Sequence, residues 1–171
     1  SGRWSPRLCR KWPGRKPGSY QWYEIQDAVD YWKEFEKTKI LWPGISMEAN
    51  SFALDESLYY GNDNNQLIIS DDKFLLGILN SKVSKMFLGN ICDKVQAGFV
   101  RLKIIYVESI PIPIHATSTQ KEKIITLVTR ILAAKQSDPQ SDTTALEAEI
   151  DAMVYGLYGL TEEEIAIVEG N

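Results

Sequence analysis

The stretch FVRLKIIYVESIPIPI, Phe99 to Ile114, constrains the fold of this chain more than any other. Its first part alternates. Val100, Leu102, Ile104 and Tyr106 fall on one side of an extended segment, and Arg101, Lys103, Ile105 and Val107 on the other. This predicts a strand from Phe99 with a basic, exposed beginning and a covered end. Pro111 and Pro113 then close the sheet. A proline offers no backbone donor to a strand ladder, and it biases the residue before it toward an extended conformation. The chain should therefore leave the sheet without coiling, with Ile110, Ile112 and Ile114 anchoring the departure against a core. The role predicted for the proline stretch is structural.

A sheet needs partners, and the upstream sequence supplies short ones. KILWPGIS, Lys39 to Ser46, reads as a strand broken by Pro43 and Gly44. SFAL and LYY are two further extended pieces. YGNDNNQ, Tyr60 to Gln66, is rich in residues that tolerate tight turns, and LIIS after it reads as a buried strand. The pattern predicts a meander of short strands rather than repeated strand–helix units.

Helical periodicity appears elsewhere. Tyr31, Trp32 and Phe35 can share one short helical face. Ser70, Asp71 or Asp72 can cap a helix from Lys73 to about Gly89, with Leu75, Leu79, Val83, Met86 and Phe87 as its apolar stripe. Near the end of the chain, three pairs have capping-box spacing: Thr119 with Glu122, Thr144 with Glu147, and Thr161 with Glu164. Apolar stripes follow the first two, Ile124 to Leu132 and Leu146 to Leu157, with Gly159 as the expected C-terminal stop of the second. The expected fold is α+β: a short-stranded mixed or antiparallel sheet with packed helices and a helical C-terminal part. Residues 1–116 form the mixed domain with a basic N-terminal arm. Residues 117–171 form a helical extension that covers it or docks onto a neighbour.

Composition narrows the function. The two cysteines, Cys9 and Cys92, give no disulfide framework, and the lone His115 cannot build a multi-histidine metal site. No apolar run is long enough for a membrane span, and no N-terminal stretch has the order of a signal peptide. The net charge of −4 hides an asymmetry. Residues 1–18 carry six basic groups and no acid, residues 1–137 carry 19 basic and 14 acidic residues, and residues 138–171 carry nine acids and no Lys or Arg. A polyanion such as DNA can face the first part, and the acidic tail argues against a phosphate backbone lying along the end.

Seven ordered pieces give the chain a resemblance: QWYEIQD, KILWPGIS, SFALD, YYGNDNNQLII, LLGILNSKVSKMF, GFVRLKIIYVESIPIP and LEAEIDAMVYGLYGLTEEEIAIVE. GILNSK followed by IIYVESIPIP is the most diagnostic pair. Over roughly residues 20–168 the sequence resembles the C-terminal specificity domain, or target recognition domain, of TaqI-like adenine-specific DNA methyltransferases. These include the fused type IIG enzymes, type II restriction enzymes that carry both restriction and modification activities. The resemblance implies sequence-specific DNA binding in a restriction–modification system, a cytoplasmic location, and an upstream methyltransferase domain that uses S-adenosyl-L-methionine. It departs from a complete enzyme: the family's Asn-Pro-Pro-aromatic tetrad and a cofactor-binding glycine loop are missing. The chain by itself is therefore expected to be non-catalytic, with no cofactor or metal of its own and double-stranded DNA as its partner. The other reading open at this point is a structural or protein-interaction domain of a restriction–modification assembly, whose apolar tail helices dock a partner.

Under the DNA-reading alternative, phosphate contacts position the duplex and a few side chains read base edges. Arg15 and Lys16, in the glycine-rich basic arm, are candidate phosphate contacts, as is Lys39. Ser46 is small enough for a base-edge contact, and can equally cap local backbone. Within KVQAGFVRLK, Gln96 can pair with an adenine edge, Arg101 can read guanine or clamp a phosphate, and Lys103 suits a phosphate. Trp42 is assigned to packing. Asn80 and Ser81 of the LNS segment are explained by helix-to-loop bonding at least as well as by base contact.

Overall fold

The computed structural model describes residues 18–21, 23–24 and 30–170. Arg15 and Lys16, and the rest of the basic arm before Gly18, lie outside the described residues. The architecture is α+β, with two small antiparallel sheets and a helical C-terminal part.

The strand β1 (Lys39–Pro43) is the centre of the first sheet, flanked by β3 (Ala53–Asp55) and β4 (Asn65–Ile69). Both pairings are antiparallel, with Leu41 opposite Ala53 on one side and Leu67 on the other. The Pro43–Gly44 break does more than interrupt a strand. It sends the next two residues, β2 (Ile45–Ser46), into a second sheet with β6 (Val100–Arg101) and β5 (Asp93–Lys94). One apolar run is thus divided between two sheets, and the predicted meander gives way to a crossover. The corner is held by backbone: the Gly44 N–H donates to Asn64 O at 2.7 Å, and the Leu102 N–H donates to Gly44 O at 3.0 Å. A Cβ at Gly44 would sit 3.2 Å from Asn64 O, so the close approach favours glycine. Trp42 is buried at the same corner, and its Nε1–H donates to Leu102 O at 3.0 Å, the packing role expected of it.

Two strand predictions are corrected. The predicted LYY strand is a loop in which Leu58 has φ +61°. The long strand predicted from Phe99 is only Val100–Arg101, followed by α3 (Ile104–Val107). Its neighbours β2 and β5 are two residues long, so the ladder has no partners to offer beyond Arg101. The in–out alternation runs from buried Val100 through exposed Arg101 and buried Leu102 to exposed Lys103, and ends at exposed Ile104. In α3, Ile104 and Ile105 are exposed while Val107 is buried.

The proline stretch follows α3 and its turn rather than a strand, and the chain turns again within it, where the Ile114 N–H donates to Ile112 O at 2.8 Å. Ile110 is buried, but Ile114 is 86% exposed and anchors nothing. Ile110 and Ile112 pack on the core as expected, and polar ties to the tail add to them: the Tyr158 hydroxyl donates to Pro111 O, and His115 Nε2 bonds Leu157 O at 3.0 Å.

The helix expected from Lys73 to Gly89 is two helices, α1 (Lys73–Asn80) and α2 (Lys82–Ile91). Asp72 caps the first, accepting from Phe74 N at 2.8 Å and Leu75 N at 3.2 Å. Ser81, extended at φ −66° and ψ 158°, ends α1 and caps α2. Asn80 then acts as a backbone substitute: Phe52 N–H donates to its Oδ1 at 3.1 Å, and its Nδ2 donates to Phe52 O at 3.0 Å. The LNS segment therefore joins helices to β3.

Three helices complete the chain: α4 (Ser118–Ser137), α5 (Thr144–Tyr158) and α6 (Glu162–Glu169). The third predicted capping box, Thr161 with Glu164, is present, and Gly159 is the left-handed stop at φ +66°. The first box is formed by Thr117 with Gln120 rather than Thr119 with Glu122, and the position before α5 is Thr143, whose hydroxyl makes no cap bond to the backbone and donates to Glu147 at 2.6 Å instead. Single-sequence spacing finds such starts within a residue or two, because neighbouring threonines compete for the same cap.

The tail packs back on α1 and α2. Ile124 and Val128 of α4 and Ile150 of α5 close over Gly77, where a Cβ would lie 2.8 Å from Ile124 Cγ2. Asp151 accepts the Lys82 backbone N–H at 2.8 Å. Glu169 of α6 takes the Lys82 ammonium and, at 2.6 Å, the Tyr155 hydroxyl. The buried apolar residues form one cluster running from Ile40 to Leu157.

Candidate nucleic-acid interface

Four of the seven predicted contact residues lie in or beside the second sheet, and three of them, Gln96, Arg101 and Lys103, belong to one hairpin and the residues just after it. Strands β5 and β6 form a hairpin in which Lys94 lies opposite Val100 and Asp93 opposite Arg101. Its tip is closed by the Val95 N–H donating to Phe99 O at 2.7 Å. Between them Ala97 and Gly98 both have positive φ, +61° and +83°, and Gln96, Ala97 and Gly98 are exposed. This tight turn carries Gln96 outward at the end of a narrow two-stranded element, a shape that can enter a major groove.

On the flat of the sheet, Ile45, Arg101 and Asp93 are in register across β2, β6 and β5 and so share one face. All three are exposed. Arg101 forms no salt bridge with a described residue, so its planar fork of donors is uncommitted. Such a group suits bidentate pairing with a guanine edge or a phosphate.

Lys103 is differently placed. Its Nζ lies 2.7 Å from Asp93 Oδ2 and 5.8 Å from the centre of the Tyr106 ring. Hydrogen bonds from Lys103 and then Tyr106 hold the Asp93 carboxyl below the usual carboxylate range, and Asp93 raises both partners in return. Both members of the ion pair are about half exposed, so solvent screens it and it holds weakly. Sequence spacing does not suggest Asp93, which lies ten positions before Lys103. Only the hairpin register brings them together.

Ser46 belongs to the same sheet but points to the opposite face from Arg101, being in register with buried Val100. Its hydroxyl oxygen accepts the Glu48 N–H at 3.2 Å and lies 3.0 Å from Ser51 Oγ. This is the local backbone cap that its size also allowed.

Lys39 is a correction. Its side chain is fully buried and its ammonium lies 2.6 Å from Asp55 Oδ2, with Phe35 O accepting a further bond at 2.7 Å. A phosphate cannot reach it. The charge that looked like a surface contact organises a loop instead: Asp55 also accepts the Ser57 and Tyr59 N–H groups, each at 2.9 Å.

A cleft of about 590 Å³ lies elsewhere, between β3, α1, α4 and α5. Among the described residues, no helix is long and apolar enough to cross a membrane. No curated protein matches the chain. The sequence model of the TaqI-like C-terminal specificity domain matches residues 10–112, more than half of the chain. The matched region contains both sheets, the hairpin and the first half of the proline stretch. A specificity domain recognises a DNA target and is not itself catalytic. The chain belongs to the family of TaqI-like C-terminal specificity domains.

Proposed function

We propose that this chain is the target-reading part of a site-specific adenine-N6 DNA methyltransferase, of the kind also fused to a nuclease in type IIG restriction–modification enzymes. Methylating adenine in a duplex requires the base to leave the stack. A separate methyltransferase domain would hold that base together with S-adenosylmethionine, while the present domain grips the flanking duplex.

The observation that carries the reading is the β5–β6 hairpin: an outward tip bearing Gln96, beside a strand that presents the uncommitted guanidinium of Arg101. In this role Arg101 and Gln96 read base edges, and Lys103 meets a phosphate. Arg15 and Lys16 of the basic arm supply further phosphate contacts. The alternative of an assembly module that docks partners through its tail helices is less well supported, since those apolar stripes are spent against α1 and α2 of the same chain.

The test is selection from a randomised duplex library with the chain joined to its methyltransferase domain, read by protection and methylation. A discrete target containing adenine is expected, and Arg101→Gln should relax the preference at one or two positions by about 1–3 kcal/mol each. Enrichment of no sequence, or methylation of cytosine alone, would overturn the proposal.

A further inference from the structure

We propose that Asp93 is a specificity-determining residue of the DNA interface, one that suppresses sequence-independent binding by holding Lys103 away from phosphates and placing a negative charge beside Arg101. This rests on the interface reading above and adds to it a residue that acts against DNA rather than for it.

The geometry has three parts. Asp93 faces Arg101 directly across the β5–β6 ladder, and its Oδ2 lies 2.7 Å from Lys103 Nζ. The Tyr106 ring centre lies 5.8 Å from the same Lys103 Nζ, within reach of a cation–π contact. Lys103 is therefore held from two sides, by a carboxylate and a ring face. Arg101 is in register with Asp93 yet not ion-paired to it, so its donors remain available.

The consequence follows from how proteins bind DNA. Sequence-independent affinity comes from cations that neutralise phosphates and release counterions, each adding about 0.9 to the salt slope. A carboxylate in the middle of a two-cation patch removes one such contact and repels the backbone near the other. Discrimination is a difference of affinities, and lowering the wrong one raises it as surely as improving the right one. The exposed ion pair is weak enough to open when a correctly placed phosphate offers Lys103 a better partner. Asp93 thus makes the phosphate contact conditional on the register set by Arg101 and Gln96.

The experiment is a titration of the 171-residue chain with a short random-sequence duplex across a series of salt concentrations. Asp93→Asn should tighten binding by about eightfold near 0.1 M salt and steepen the salt slope by about 0.9, the release of one further counterion. Lys103→Gln in the Asp93→Asn background should cancel that gain. A folded Asp93→Asn chain whose affinity is unchanged or weaker would overturn the proposal. Asp93→Ser is the second variant, and if both lose the native circular dichroism spectrum Asp93 is structural and the proposal falls. The two readings fail separately. If Arg101→Gln weakens binding but Asp93→Asn has no effect, only the role of Asp93 is lost. If neither Arg101→Gln nor Lys103→Gln alters binding, the interface assignment itself is lost, and the absence of any binding by wild type and Asp93→Asn alike removes both.

Discussion

Lys39 Nζ and Asp55 Oδ2 lie 2.6 Å apart with both side chains closed off from solvent, at the point where the central strand of the first sheet begins. Removing one partner of such a pair leaves the other charged and buried, which costs about 3–5 kcal/mol. Lys39→Met should therefore lower stability by about that amount in a denaturant melt, and loosen the loop that Asp55 organises. Duplex affinity per folded molecule should be unchanged, because the ammonium faces the interior. A Lys39→Met chain that keeps its stability but loses DNA binding would show that the charge works outward after all.

The same pair sets an acid dependence. Burial pushes the Asp55 carboxyl up, but Lys39 and the Ser57 and Tyr59 N–H groups outweigh it and hold the group below its ordinary value of 3.8. A carboxyl lowered by folding contributes stability that is complete above its unfolded value and is lost as pH falls through the folded one. Wild type should thus weaken below about pH 3.8, and Asp55→Asn should be less stable at neutral pH with a flatter acid limb. Equal acid limbs for the two proteins would contradict this.

Asp151 carries the opposite sign. Burial raises its carboxyl above the ordinary carboxylate value, although the Lys82 N–H and ammonium oppose the shift. Its contribution is present below the unfolded value and declines as pH rises through the folded one. Asp151→Asn keeps the acceptor for the Lys82 N–H and removes the buried charge, so it should match or exceed wild-type stability at neutral pH. It should lose that advantage in acid. Asp151→Ala removes the acceptor and should cost about 1–3 kcal/mol. The three melts, compared across pH, decide the matter.

Gly77 tests how closely the tail belongs to the sheets. Alanine is the better helix former, yet its Cβ would lie 2.8 Å from Ile124 Cγ2 and 3.1 Å from Val128 Cγ2. The crowding should win, and Gly77→Ala should destabilise the whole chain by about 1–3 kcal/mol. An unchanged or higher melting temperature would mean that α4 can shift from α1 without cost.

What the sequence disclosed, and what it did not, follows from the range of the interactions. Helix starts at Asp72 and Thr161, the stop at Gly159 and the break at Pro43–Gly44 are local chemistry, and each is where a few adjacent residues put it. The length of β6 is decided by two partners that lie far away in sequence, so alternation through Tyr106 misled. Lys39 looked like a surface charge because its counter-ion, Asp55, belongs to a different strand. The same holds for Asp93, which only the ladder puts opposite Arg101. The candidate site was legible as a stretch, Gln96 to Lys103, but not in which of its cations was already occupied.

Ala97 gives the last prediction, at the tip of that stretch. Its φ of +61° and ψ of +27° place a residue with a Cβ in the left-handed region, immediately before Gly98 at φ +83°. That conformation costs an L-residue about 1–2 kcal/mol, and glycine escapes it at an entropic cost of about 0.5–1 kcal/mol. Ala97→Gly should therefore be neutral or stabilising by up to about 1 kcal/mol. Ala97→Val, whose branched side chain tolerates the region least, should destabilise and should weaken duplex binding by displacing Gln96 next to it. Thermal melts and DNA titrations of the two variants separate the effects. A valine variant indistinguishable from wild type in both would mean that the hairpin tip does not hold this turn in solution.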